Sequence, residues 1–163
     1  MAQQTPVAIK QFDALSLREL HACLKLRGEV FVVGQQICAV PDVDDDDPLC
    51  HHAMLWVGEE LVGTARLLPK DDGQTIKVGR VAVGQAWRGR GMGVTLMRGV
   101  QDWIGKEPGR VGVMSAQAYL ERWYAALGWV RVGEVYEEAG VEHVEMRWSG
   151  DKDRDKRSET RAQ

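Results

Sequence analysis

With 163 residues, 44% of them hydrophobic and 28% charged, the chain has the composition of one soluble globular domain. A formal net charge of -3 and a pI near 5.8 exclude a general nucleic-acid binder, and no apolar run approaches the roughly 20 residues of a membrane span. The start, "MAQQTPVAIKQ", lacks the apolar core of a secretion signal, and the cysteines Cys23, Cys38 and Cys50 fit free thiols in a reducing cytoplasm.

The first predicted element is a strand, Val7 to Phe12. Ser16 and Glu19 then form a capping-box pair that predicts a helix start. Leu17, Leu20, Leu24 and Phe31 fall on one helical face, and Arg27 falls between them. A cation aimed at a core needs a partner or a way out: a structural ion pair or a stem that snorkels at the helix end, or else recognition of a substrate or loop group. "GQQICAVPDVDDDDPLC" has no period and is a loop. Its acidic run, Asp42 and Asp44 to Asp47, is expected to face solvent and, if it borders a cleft, to steer cationic ligands.

"HHAMLWVG" and "LVGTARLLP" read as a hairpin turning near Glu59-Glu60, and "TIKVGRVAV" reads as a longer strand, Thr75 to Val83. A glycine-rich loop follows. Then Leu96, Met97, Val100, Trp103 and Ile104 mark a helix with one apolar stripe. "RVGVMSA" is a short buried strand. "AYLERWYAAL" is a helix that Gly128 is placed to stop. "WVRVGEVYEE" and "VEHVEMRW" close the domain as a hairpin across Ala139-Gly140. The order β-α-β-β-β-α-β-α-β-β predicts a mixed sheet with helices packed on it. Residues 1–148 are expected to form a single domain, and 149–163 a charged, disordered tail.

The segment "GRVAVGQAWRGRGMGVTLMRGVQDWIG" sets a strand, a glycine loop and a helix in a row. Such a junction offers unpaired helical amides and the positive end of a helix dipole to an anion. Glycines let an oxyanion approach the backbone, and Arg88 and Arg90 add charge. Walker A is excluded because no Lys-Ser or Lys-Thr follows. The dinucleotide fingerprint is excluded because Val94 or Leu96 stands where its third glycine belongs. What remains is Arg-x-x-Gly-x-Gly at Arg88, Gly91 and Gly93.

That motif resembles the acetyl-coenzyme A loop of the GNAT N-acetyltransferases. "SAQAYLERWYAALGWVRVGEVYEEAGVEHVEM" is similar to the C-terminal half of the same family, with Tyr-x-x-x-Gly-aromatic from Tyr124 to Trp129. Together with "LKLRGEVFVVGQ" it resembles the ElaA-like branch. The likeness spans about Leu17 to Trp148. It implies an α/β (α+β) fold, with a mixed six- to seven-stranded sheet that splays near its middle and is flanked by helices. It also implies that Val81, Ala82 and Val83 pair with the pantetheine arm. The pyrophosphate would sit on Arg88, Gly89, Arg90, Gly91, Met92, Gly93 and Val94. Gln117 would stand where relatives often use Asn toward pantetheine, and Tyr124 at the position of the proposed general acid. The branch usually has Glu where this chain has Gly34.

Acetyl transfer needs a neutral amine, a stabilised carbonyl oxygen and a proton for the departing thiolate. An alkylammonium of pKa about 10.4 is neutral about once in 2,500 molecules at pH 7, a deficit of roughly 4–5 kcal/mol. A base recovers part of this. The central strand has no Glu for the task; His52, His143 and Glu145 are candidates, and His143 leads because it lies inside the resemblance. An amide near Val83 would serve the oxyanion. Tyr124 and His143 are thus the expected catalytic pair, with Arg27 and His52 as candidate acceptor contacts.

The expected cosubstrate is acetyl-coenzyme A. The expected acceptor is a small-molecule or polypeptide amine. No nucleic acid, membrane or metal is expected, since Cys38, Cys50, His51 and His52 match no zinc spacing, and a homodimer is left open. A non-catalytic acyl-coenzyme A sensor is the alternative function, and a plain phosphate-ligand binder is a third.

Overall fold

The computed structural model describes residues 6–150, so all but the first two residues of the expected tail lie outside the described residues. Seven strands form one sheet: β1 (Ala8–Gln11), β2 (His51–Val57), β3 (Glu60–Pro69), β4 (Thr75–Val83), β5 (Val111–Gln117), β6 (Val130–Glu138) and β7 (Val141–Trp148). The helices are α1 (Leu17–Arg27), α2 (Met92–Gly105) and α3 (Glu121–Ala126). The strand order is β1-β2-β3-β4-β5-β7-β6. Only β4 and β5 run parallel, because the α2 crossover joins them; every other neighbouring pair is antiparallel.

The local signals act as expected at most element ends. Ser16 Oγ accepts from the Glu19 amide at 3.1 Å, and Glu19 Oε1 accepts from the Ser16 amide at 2.9 Å. Ala139 and Gly140 both take positive φ, 51° and 77°, which sets a two-residue hairpin turn. Gly128, at φ 98°, stops the chain just beyond α3.

The face of α1 differs from expectation. Cys23, Leu26, Arg27 and Val30 are buried, while Leu17 is 86% exposed. The chain passes from α1 into a π-helical turn, Gly28–Gly34, so a 3.6-residue period carried through to Phe31 has the wrong phase. The helix meets Met54, Leu61 and Ala82 on one side of the sheet.

On the other side lies the larger core. Leu96, Met97, Val100 and Ile104 of α2 are fully buried against β2 to β5, each contributing about 1.5–3 kcal/mol of burial energy. Strand β4 serves both cores by changing phase. Thr64 pairs with Ala82 and Arg66 with Gly79, so β4 carries one extra residue there, a β-bulge. Arg80 sits in it at φ 50°. Before the bulge, Ile76 and Val78 face α2; beyond it, Ala82 faces α1.

Candidate active site

The β4–β5 ladder runs from Thr75↔Val111 to Val78↔Met114 and stops. Beyond it the two strands part. The β5-facing edge of Gly79 to Val83 is left without a ladder partner, and a cleft of about 220 Å³ opens between the strands. An extended chain fits such an edge as an added strand would.

At the far end of β4, Gly91 caps α2 in the left-handed conformation, φ 76°, and Gly89 also has positive φ, 74°. Thr95 is the first amide bonded within the helix, to Gly91 O at 3.0 Å, which leaves the amides of Met92, Gly93 and Val94 without intrahelical acceptors. Gly93 is tightly packed: a Cβ there would lie 3.0 Å from the Trp123 ring, which would have to shift to admit it. Arg88 Nε donates to Val83 O at 3.3 Å, and Arg90 stacks 5.0 Å over the Trp87 ring, so both cations frame the loop. Free amides, positive-φ glycines and two arginines suit a pyrophosphate. The parted strand edge suits the amide-bearing arm that follows it in coenzyme A.

Tyr124 and His143 both line the cleft, the first from α3 and the second from β7. Burial pushes the Tyr124 phenol well above its ordinary pKa, and the ring is 5% exposed. His143 Nδ1 lies 2.7 Å from Val141 O; a carbonyl only accepts, so Nδ1 carries the hydrogen and Nε2 keeps the lone pair. Gln117 also lines the cleft, where its Nε2 donates to Gln35 Oε1 at 2.8 Å. Gln35, next to Gly34, thus reaches the site from the α1 side.

Arg27 and His52 are not brought to the cleft. Arg27 is 1% exposed and fully engaged, with Nε on Asp42 Oδ2 at 3.1 Å, Nη1 on Asp47 Oδ1 at 2.7 Å and Nη2 on Asp42 O at 2.6 Å. The structural ion pair is therefore the correct reading of that residue. His52 is equally buried, its Nε2 3.0 Å from Asp47 O, and burial lowers its pKa.

The solvent-facing acidic run is overturned for the same reason. Arg66 holds Asp44 at 2.6 Å and Asp47 at 3.2 Å, and Arg80 reaches Asp42 and Asp44. Only Asp45 of the run is exposed. Hydrogen bonding from Arg66 pulls the Asp44 carboxyl down to about 2. Burial raises Asp47, but the Arg27 and Arg66 bonds outweigh it and leave that carboxyl lowered too.

Sequence reasoning also missed Ser115, Tyr136 and Glu138. Tyr136 hydrogen-bonds Ser115 Oγ, and Ser115 Oγ donates to Glu138 Oε2 at 2.6 Å. Glu138 Oε2 lies 3.8 Å from His143 Nε2. The predicted Ala139-Gly140 turn does imply Tyr136 opposite His143, as observed. Ser115 comes from a non-local strand, and no local signal points to it.

A seven-stranded mixed sheet parted beside a glycine-capped helix defines an acyl-coenzyme A acyltransferase architecture. Residues 46–149 match the family model described as an acetyltransferase (GNAT) domain, and the chain belongs to that family and is an acyltransferase. It is 39% identical to protein ElaA of Escherichia coli over 136 residues, 81% of this chain and 88% of that one. The crystal structure of Escherichia coli ElaA superposes with a TM-score of 0.81 at 35% identity, covering 89% of this chain and 99% of that one. An acyl-CoA N-acyltransferase from Pseudomonas aeruginosa gives a TM-score of 0.78 at 37% identity over 88% and 99% of the two chains. No helix among the described residues is long and apolar enough to cross a membrane.

Proposed function

We propose that the chain moves an acetyl group from acetyl-coenzyme A to a primary amine by direct attack within a ternary complex. The observation that carries this reading is the cleft between the parted strands, which has the Tyr124 phenol and the His143 imidazole on its walls. The bound thioester supplies the acyl group and a thiol leaving group.

The residues of this chain divide the work. Amides from Arg88 to Val94, with the Arg88 charge, hold the pyrophosphate. The free edge of Val81, Ala82 and Val83 aligns the pantetheine, with Gln117 beside it. An amide near Val83 stabilises the oxyanion. His143 Nε2 accepts a proton from the amine. Tyr124 gives its hydroxyl proton to the departing sulfur. Burial raises the phenol, and desolvation raises a thiol in the same direction. The two shifts run the same way, so burial of the phenol does not by itself oppose the transfer.

Tyr124→Phe keeps the ring and its packing on Trp123 and Trp129. It should retain melting temperature and coenzyme A affinity but lose roughly 10²-fold or more in kcat if proton donation limits the rate. Wild-type kcat in that variant would remove Tyr124 as the acid. Unstable protein with normal kcat per folded molecule would make it a core residue only.

A further inference from the structure

We propose that Glu138 and His143 together form the seat of the acceptor's ammonium, with Ser115 and Tyr136 holding the carboxylate in place. The inference rests on the acetyl-transfer reading and names the part of the site that receives the amine. Three strands build it. Ser115 stands on β5 one residue past Met114, the last rung shared with β4, where the cleft opens. Tyr136 pairs with His143 across β6 and β7, and Gln117 pairs with His143 across β5 and β7, so these side chains share the cleft face.

The hydrogen-bond directions are set by chemistry. A carboxylate only accepts, so Ser115 donates to Glu138 Oε2 and must accept from the Tyr136 hydroxyl. Glu138 is half-exposed, its side chain 53% accessible, yet two hydroxyls in series fix its carboxylate. Its Oε2 faces His143 Nε2 at 3.8 Å. Nδ1 of His143 is already spent on Val141 O, so both facing atoms are acceptors. Two acceptors that face each other with no hydrogen between them repel. A donor nitrogen about 2.9 Å from each relieves this with ordinary hydrogen-bond geometry, and a primary ammonium has a hydrogen for each and one to spare.

The surrounding charges leave this carboxylate available. Arg66 and Arg80, which also line the cleft, are held by Asp44, Asp47 and Asp42. Asp42 and Asp46 face the cleft from the α1 side, and Lys77 from β4.

The seat makes the first proton transfer local. One N–H of the ammonium passes its proton to His143 Nε2, and the imidazolium is stabilised by Glu138. The freed lone pair forms the C–N bond to the thioester carbon. The C–S bond then breaks, and the sulfur takes the Tyr124 proton. The second amine proton returns to Tyr124, and His143 releases the first to solvent. The sum is an amide, a thiol and one proton from an ammonium and a thioester.

The test uses the full-length protein with acetyl-coenzyme A and two probes, n-butylamine and Nα-acetyl-lysine methylamide, which separate a free amine from a peptide lysine. Coenzyme A affinity is measured by calorimetry alongside. Glu138→Gln keeps an acceptor for Ser115 but loses the charge. It should keep melting temperature and coenzyme A affinity and raise the probe KM about tenfold or more at pH 7, the size expected for one hydrogen bond to a charged group. The deficit should shrink toward pH 10, where roughly a third of the amine is already neutral. Ser115→Ala should raise the same KM by less.

Wild-type kcat/KM in Glu138→Gln at pH 7, or a loss that does not change with pH, overturns the seat while leaving the acetyl-transfer reading intact. A wild-type enzyme that binds coenzyme A and acetylates neither probe overturns the seat and the alkylamine acceptor together. Failure to bind coenzyme A strikes the acetyl-transfer reading itself.

Discussion

Two loops of this molecule carry charge to opposite ends. Between Gly34 and Cys50 the chain has five aspartates, and between Gly84 and Gly91 it has two arginines. In the first loop the charges are consumed internally: Arg27, Arg66 and Arg80 reach across 15 to 38 residues of sequence to hold Asp42, Asp44 and Asp47. In the second, the arginines frame a row of backbone amides with no intrahelical acceptor. A charge run therefore predicts a ligand only when its partners within the fold are missing. The aspartate loop is a strap tying α1 to the central strands, and the arginine loop is a socket.

Breaking the strap should produce the largest effect. Arg27→Met keeps bulk but leaves Asp47, 3% exposed, as a buried charge with one arginine fewer. The expected cost is about 3–5 kcal/mol of stability, read by denaturant unfolding. A cost under about 1 kcal/mol would mean that water reaches the pair and that the strap is loose.

Breaking the socket should spare the fold. A Cβ at Gly91 meets no atom within 4 Å, so Gly91→Val costs mainly the left-handed backbone, about 1–2 kcal/mol. Its branch should nonetheless block anion approach and lower coenzyme A affinity at least about 100-fold. Calorimetry on the folded variant checks this, and wild-type affinity would end the pyrophosphate assignment.

Acid separates the two loops in a third way. The folded Asp44 carboxyl sits at about 2, below its ordinary value of 3.8, and Asp47 is lowered as well. Groups with depressed folded pKa values stabilise the protein above their unfolded values and lose that contribution as protons bind. Stability should thus hold down to about pH 4 and fall between about 4 and 2, Asp44 accounting for on the order of 1–2 kcal/mol after solvent screening. Urea midpoints across that window measure it, and in Arg66→Met its lower edge should rise toward pH 4 and the acid-dependent loss should shrink. The smallest effect belongs to Asp45, the exposed member of the run: Asp45→Asn should change stability by less than about 0.5 kcal/mol.

The same contrast explains what the sequence made legible. Local chemistry was readable: the Ser16 and Glu19 capping box, the Ala139-Gly140 turn, the bounds of β4 and the glycine loop all depend on residues a few positions apart. Partnerships across the sheet were not. Nothing near Arg27 in sequence names Asp42 and Asp47, and Ser115 meets Glu138 only because β5, β7 and β6 lie side by side. The α1 face was misread because its buried positions are filled by Cys23 and Arg27 as well as Leu26 while Leu17 lies exposed, and the π-helical turn from Gly28 shifts the phase again before Phe31.

The bulge at Arg80 makes strand β4 a counter of residues as well as a carrier of side chains. A substitution there alters one contact. Flattening the bulge with every residue kept would turn Ala82 toward α2 and set Val81 against α1, so that every later position would serve the wrong core. Losing the one extra residue would instead give a plain ladder and leave both side chains on their present faces. Length variation among natural relatives should then collect in turns such as 70–74, and within this strand only the gain or loss of the bulge residue itself should be tolerated.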